Sequence, residues 1–195
     1  PCKGVTRFSE KARDRYIENW EYELVLKHSP LSVQVALEIS YLCAARQGDV
    51  LKLKKGDLKE EGIFIKQGKT GKKQIKAWTP RLRAAIKLAS SIETKVESMF
   101  VVPTQNGTAY TSDGFRTMWD RARSKARRES DQLLDFTFHD IKAKSISDYE
   151  GDKQKFSGHK TARQVGTYDR KTEIVETLNP DINRTGENNV RNEPS

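Results

Sequence analysis

Apolar side chains recur with helical spacing along the first quarter of the chain. A repeat of four residues predicts an amphipathic helix from Phe8 to Lys27. The repeat consists of Ala12, Tyr16, Trp20 and Leu24. Ser29 followed by Pro30 predicts a helix that is capped by Ser29 and has Pro30 in its first turn. The segment after it is apolar on nearly every face, which predicts a central buried helix that runs out at Arg46.

The apolar period changes to two from Gly62, which predicts an antiparallel hairpin over residues 62–78. A short helix that includes Val50, Leu51 and Leu53 is predicted before it, and a short strand and a loop are predicted over residues 99–110. Further helices are predicted after Thr79-Pro80, from Ser112, and from Thr137, where Asp140 completes a capping box. The fold class predicted from these elements is α+β, mainly helical, with one small antiparallel sheet.

One folded domain is predicted over residues 1–180. Residues 181–195 carry almost no apolar side chains, so we expect a polar, flexible tail that docks on a partner. The chain begins at Pro1 without a methionine, which suggests a fragment of a longer protein.

Positive charge dominates the sequence, with 36 Lys and Arg against 27 Asp and Glu and a net charge of +9. Such an excess indicates a polyanionic partner, and nucleic acid is favoured over a membrane surface because no single amphipathic segment concentrates the charge. The helix that begins at Ser112 has one apolar face, and we expect its basic faces to contact DNA phosphates. Those faces carry Arg116, Arg121, Arg123, Lys125, Arg127 and Arg128.

Neither a metal nor a cofactor is predicted. The two cysteines and three histidines have no metal-ligand spacing. Gly68-Lys69-Thr70 lacks the upstream glycine of a phosphate-binding loop, since that position is Ile63. No signal peptide or membrane-spanning run is present, so a cytoplasmic location is expected.

Several polar residues are uninformative singly but form an ordered series. Taken alone, Lys69 is a solvated turn residue, and Arg46 would pair with a carboxylate such as Asp49. His139 and His159 would be structural hydrogen-bonding groups, and Tyr168 is one of six tyrosines. In chain order the series is Arg46, Lys69 in the hairpin, His139-Asp140-Ile141-Lys142, Gly158-His159, and Tyr168 nine residues later. This order resembles the catalytic domain of the tyrosine recombinases, most closely the phage and prophage integrases, over Arg15 to Lys171.

The resemblance implies DNA strand cleavage and rejoining without a metal, through a 3′-phosphotyrosine. Tyr168 would attack the scissile phosphate and Lys69 would protonate the leaving 5′-oxygen. The other predicted groups would grip the phosphate or assist proton transfer, and they are Arg46, His139, Lys142 and His159. The implied function is site-specific integration or excision at double-stranded DNA attachment sites in a bacterial host, near the nucleoid. Four protomers would act on DNA, with accessory DNA-bending or directionality proteins, and the protein could be a monomer in isolation.

Two departures from the family pattern leave alternatives open. Lys142 stands where the family mostly has arginine, and lysine cannot make the bidentate fork. Full integrases of the family also carry an N-terminal core-binding domain, which is not expected within these residues. The alternatives are a degenerate integrase that only binds DNA, a type IB topoisomerase-like enzyme, and a basic adaptor that binds RNA or a ribosome.

Overall fold

The computed structural model describes residues 13–177, which form eight α-helices, one short 3-10 helix (Lys55–Asp57) and a two-stranded antiparallel sheet. This confirms the mainly helical α+β class. The helices are α1 (Asn19–His28), α2 (Leu31–Cys43), α3 (Gln47–Val50), α4 (Pro80–Ala89), α5 (Ser112–Ser130), α6 (Phe138–Asp148), α7 (Lys153–Ser157) and α8 (Ala162–Gly166). The strands are β1 (Gly62–Lys66) and β2 (Lys73–Ala77).

Helix α2 is the central helix, as its uniformly apolar sequence predicts. It is buried on nearly every face and packs against α4, α6, α3, α1 and α5. Its fully buried side chains include Val33, Val35, Ala36 and Ile39.

The first predicted helix is wrong over its N-terminal half. Residues 13–18 are not helical, α1 begins only at Asn19, and Phe8 to Ala12 lie outside the described residues. Tertiary contacts explain the difference. The Lys144 ammonium of α6 donates to the Tyr16 hydroxyl and to the Ile17 carbonyl oxygen, both at 3.0 Å. Residues 13–18 therefore lie against α6 rather than continuing α1.

Other predicted boundaries shift by a few residues. Pro30 is the N-cap of α2 and is not in its first turn. Helix α3 ends at Val50, so Leu51 and Leu53 are not helical. The strand predicted within residues 99–110 is wrong, because only isolated bridges form there, at Phe100 and between Pro103 and Ala109. Short apolar runs beside proline pack into the core without pairing along a ladder.

The hairpin predicted over residues 62–78 is confirmed. β1 pairs with β2 from Gly62 opposite Ala77 to Lys66 opposite Lys73. On β2 the apolar Ile75 is half exposed, whereas Lys76 is buried. The Lys76 ammonium donates to the Phe156 carbonyl oxygen, so the polar side of β2 holds the end of α7.

The described region contains no helix suited to crossing a membrane and no metal cluster. Between residues 13 and 177, every helix is too short or too polar to cross a bilayer. Over the same range, no three His, Cys, Asp or Glu side chains converge as a metal site would require.

Candidate active site

Arg46 lies in the link between α2 and α3, where it is the N-cap residue of α3. The chain turns sharply there because Ala44 has a left-handed φ of 50°, which L residues rarely adopt. Arg46 Nη1 donates to Gln67 Oε1 at 2.9 Å. It is not paired with Asp49, whose Oδ1 accepts from the Gly68 amide at 2.8 Å.

Lys69 lies in the turn of the hairpin, between β1 and β2, and its side chain is exposed. Two backbone hydrogen bonds close the base of this turn, from Gln67 N to Lys72 O and from Gly71 N to Gln67 O, each at 2.8 Å. The base is therefore fixed while the Lys69 ammonium faces solvent on a long, flexible side chain.

Helix α6 carries His139 and Lys142 on one face, three residues apart. The predicted capping box between Thr137 and Asp140 starts the helix. In the first turn, His139 Nε2 lies 3.2 Å from the Tyr168 hydroxyl. One turn further, Lys142 is only 1% exposed, and its Nζ lies 5.9 Å from the centroid of the Tyr168 ring.

His159 follows the short helix α7, whose C-cap is Gly158 with a φ of 69°. Glycine is needed there, because a Cβ would lie 2.5 Å from Gln67 Nε2 in addition to the unfavourable φ. The buried His159 ring stacks on the Tyr168 ring with centroids 4.8 Å apart. Its Nδ1 lies 2.8 Å from Ser157 Oγ. When Ser157 donates to Nδ1, the ring proton resides on Nε2.

Tyr168 follows α8, and contacts with the same chain hold its backbone. Its carbonyl oxygen accepts from Ser147 Oγ at 3.2 Å, and the Arg170 amide donates to the same Oγ at 2.7 Å. Between them, Asp169 forms an ion pair with Lys153 at 2.6 Å. These contacts keep the Tyr168 hydroxyl beside the two histidines of its own chain.

Two buried nitrogen atoms beside Tyr168, Lys142 Nζ and His159 Nε2, have no hydrogen-bond partner among residues 13–177. Burial, followed by the Arg46 and Lys76 charges, lowers the pKa of Lys142 from 10.5 to about 7. Burial, with the Lys142 and Arg46 charges, lowers the pKa of His159 to about 4. Groups with these perturbations are stabilised by an anion placed among them.

Desolvation also lowers the pKa of His139. The Asp140 carboxylate acts to raise this pKa, but the positive charges of Lys142 and Arg46 act to lower it. The His139 ring is therefore neutral at pH 7. A neutral ring whose Nε2 faces a phenol can accept its proton.

The polar pair Asp140 and Arg170 supports the site and is missing from the predicted set. Arg170 Nη1 contacts Asp140 Oδ1 at 2.7 Å, and both side chains are buried. Burial opposes ionisation of Asp140, but hydrogen bonds from Thr137 and Arg170 outweigh it and lower the pKa of the carboxyl. The pair ties α6 to the segment that follows Tyr168. Its sequence signal, an arginine two residues after the tyrosine, is too weak to identify it.

The predicted residues therefore fall into three groups. His139, Lys142, His159 and Tyr168 lie together, Arg46 is connected to His159's loop through Gln67, and Lys69 lies on the exposed turn. The amide of Gln67, which makes this connection, was not predicted from the sequence.

Helix α5 buries its apolar face through Phe115, Trp119, Ala122 and Ala126. Most of its basic side chains are exposed: Arg116, Arg121, Lys125, Arg127 and Arg128. Arg123 instead donates to the Phe136 carbonyl oxygen at 2.7 Å. All six basic residues remain predicted DNA contacts. Arg123 differs from the other five because its guanidinium also holds the link that precedes α6.

Comparisons with known proteins identify the family and the fold. The profile described as "Phage integrase family" matches residues 7–173. A lambda integrase (75-356) dimer bound to a COC′ core site superposes with a TM-score of 0.70 and 19% identity, covering 90% of this chain and 66% of that one. The lambda integrase catalytic core superposes with a TM-score of 0.61 and 21% identity, covering 74% and 91%.

A lambda integrase tetramer bound to a Holliday junction is also similar, with a TM-score of 0.67 and 20% identity, covering 89% of this chain and 54% of that one. The chain thus spans between about half and two thirds of the longer lambda integrase structures. A search of curated proteins gives no significant match.

Proposed function

Because the chain belongs to the phage integrase family, we propose that it breaks and rejoins double-stranded DNA through a covalent bond between Tyr168 and a phosphate. The observation that carries this proposal is the surroundings of the Tyr168 hydroxyl. His139 Nε2 lies 3.2 Å away, and the unpartnered nitrogens of Lys142 and His159 lie beside the same ring. This arrangement offers one proton acceptor and several donors to a phosphate.

Cleavage begins when the Tyr168 oxygen attacks phosphorus and its proton passes to neutral His139. Negative charge grows on the non-bridging oxygens, where Arg46, Lys142 and His159 Nε2 donate hydrogen bonds. The bond from phosphorus to the 5′-oxygen breaks, and Lys69 gives that oxygen a proton. The products are a 3′-phosphotyrosine and a free 5′-hydroxyl.

Rejoining is the reverse reaction with a 5′-hydroxyl from a second duplex. The phosphotyrosine retains the energy of the broken bond, so no nucleotide is consumed. Two rounds of exchange complete site-specific recombination, such as integration or excision of a phage or prophage at its attachment sites.

Lys142 supplies charge to this reaction without the planar fork of arginine. Its unpartnered Nζ lies beside the Tyr168 ring on which His159 stacks, which supports a working variant over a degenerate protein that only binds DNA. Phosphate in the site raises the pKa of Lys142 and thereby restores its proton.

The assembly that acts on DNA is proposed as a tetramer, in which the polar segment 181–195 docks on a neighbouring protomer. That segment lies outside the described residues. A DNA-bound tetramer of lambda integrase shares the fold, which supports this arrangement. Accessory DNA-bending proteins and action on chromosomal DNA in the bacterial cytoplasm belong to the same proposal.

Covalent capture tests the proposed chemistry and identifies the DNA target sequence in the same experiment. Randomised duplexes that carry a nick near the centre lose a short 5′-hydroxyl strand after cleavage, so the adduct cannot be resealed. After denaturation, DNA that remains on the protein is sequenced. We expect an enriched core sequence from wild type and none from Tyr168→Phe.

Tyr149→Phe is the matched control, because Tyr149 is exposed and stacks on Phe156 with ring centroids 4.0 Å apart. It should form adducts at the wild-type rate. Specific binding without any adduct would establish the binding-only alternative. Adducts that relax supercoils but never exchange strands between duplexes would establish the topoisomerase-like alternative.

A further inference from the structure

Gln67 directly follows β1 and is almost completely buried, with 4% exposure. Its side chain forms three hydrogen bonds. Oε1 accepts from Arg46 Nη1 and from Thr70 Oγ1, both at 2.9 Å. Nε2 donates to the Ser157 carbonyl oxygen at 2.8 Å. One amide therefore connects the α2–α3 link, the hairpin turn and the end of α7.

The chemistry of the partners fixes the orientation of this amide. A guanidinium only donates and a carbonyl oxygen only accepts, so Oε1 must face Arg46 and Nε2 must face Ser157. Neither glutamate nor an apolar side chain makes both contacts. A carboxylate at position 67 would also neutralise part of the Arg46 charge.

The contact with Ser157 extends to His159. The Ser157 hydroxyl binds His159 Nδ1, and Gly158 between them passes so close to Gln67 that a Cβ there would lie 2.5 Å from Nε2. Gln67 thus fixes Arg46 and the backbone before His159 from a single buried point.

We infer that Gln67 is a positioning residue that aligns Arg46 and His159 on one phosphate, and this inference rests on the proposed function. It sets the direction of the Arg46 guanidinium and the position of the backbone that precedes His159. Through its backbone it also closes the base of the turn that carries Lys69.

Gln74 provides a matched comparison within the same hairpin. Its Nε2 donates to the Lys155 carbonyl oxygen at 2.7 Å, also at the end of α7. It makes no hydrogen bond to Arg46. Gln67→Met and Gln74→Met therefore remove similar contacts to α7, and only the first releases Arg46.

The test measures single-turnover adduct formation on the captured duplex at saturating protein. Gln67→Met should slow the reaction between about 10-fold and 100-fold, as expected when a charged donor loses its alignment. Gln74→Met should slow it less than about 3-fold, since the phosphate donors stay aligned. Should Gln67→Met fail to fold, Gln67→Glu is used, and it should be similarly slow because its carboxylate opposes the Arg46 charge.

Two chemically altered phosphates at the cleavage position distinguish misalignment of Arg46 from a general loosening of the site. A methylphosphonate lacks the negative charge that Arg46 balances, so the Gln67→Met deficit should shrink to about 3-fold or less. A 5′-bridging phosphorothiolate needs no leaving-group acid, so the deficit should persist there.

The inference would be overturned if Gln67→Met were equally slow on the normal phosphate, the methylphosphonate and the phosphorothiolate. It would also be overturned if only the phosphorothiolate restored the rate of Gln67→Met. Equal loss in Gln74→Met would do the same. Wild type that forms no adduct would refute the proposed function itself, and with it this inference.

Discussion

Replacement of Lys142 with methionine should stabilise the folded protein while it abolishes cleavage. Lys142 is 1% exposed and has no hydrogen-bond partner among the described residues. A pKa lowered from 10.5 to about 7 corresponds to roughly 5 kcal/mol, at 1.36 kcal/mol per pKa unit. Water that solvates Nζ recovers part of this cost. We therefore expect a gain of about 2 kcal/mol, which is about 4–8 °C in Tm for a domain of this size.

The gain should depend on pH in a defined direction. A base whose pKa falls on folding binds fewer protons in the folded than in the unfolded state between the two pKa values. Wild-type stability therefore rises relative to Lys142→Met as the pH increases from about 7 towards 10.5. The advantage of the variant is largest below pH 7 and shrinks above it.

Lys144, on the same helix, is the matched control because it is equally buried but fully paired. Its Nζ contacts Asp148 and Asn19 Oδ1 in addition to the segment before α1. Lys144→Met should cost about 3 kcal/mol, because it removes the cation paired with the partly buried Asp148 and leaves the Ile17 carbonyl oxygen and Asn19 Oδ1 without their donor. Thermal unfolding at pH values from about 6 to 9 measures both variants. Lys142→Met that is no more stable than wild type at pH 6 would refute the reasoning.

Three further predictions concern the site and the basic helix. In Lys142→Arg the guanidinium stays protonated, whereas wild-type Lys142 loses its proton above about pH 7. At subsaturating DNA, the adduct rate of the variant divided by that of wild type should therefore rise between about pH 7 and pH 9. A ratio that does not change with pH would contradict the lowered pKa of Lys142. Gly158→Ala should lose at least about 1 kcal/mol of unfolding free energy from its φ alone, and unchanged denaturant midpoints would show that the loop adapts. Removal of Arg121 and Arg128 charges together should lower the salt slope of DNA affinity by about 2, whereas an unchanged slope would place the DNA elsewhere.

Much of the fold is predictable because its signals are local. The capping box at Thr137, the Thr79-Pro80 start of α4 and the period-two hairpin each depend on a few neighbouring residues. The first helix was overextended because its apolar repeat reflects packing of residues 13–18 on α6. Sequence spacing does not distinguish a helical repeat from an extended segment whose side chains are held by a distant lysine.

The site is predictable only in part, for a related reason. The ordered series names the reactive residues, but their alignment depends on side chains without a distinctive pattern. Gln67 reaches Ser157 across 90 positions of sequence, and Arg170 reaches Asp140 across 30. The perturbation of Lys142 likewise depends on burial and on the Lys76 charge from a separate strand.

The way the hairpin holds α7 has a consequence for the protein during its synthesis. Helix α7 has only five residues, too few to persist alone, and donors from Gln67, Gln74 and Lys76 satisfy its last carbonyl oxygens. The hairpin leaves the ribosome long before α7 and Tyr168. Contacts between residues that are far apart in sequence form late, because the entropy cost of closing the intervening loop must be met first. A nascent or partly unfolded chain therefore lacks the assembled residues around Tyr168, and under the proposed function DNA cleavage is confined to the fully folded protein.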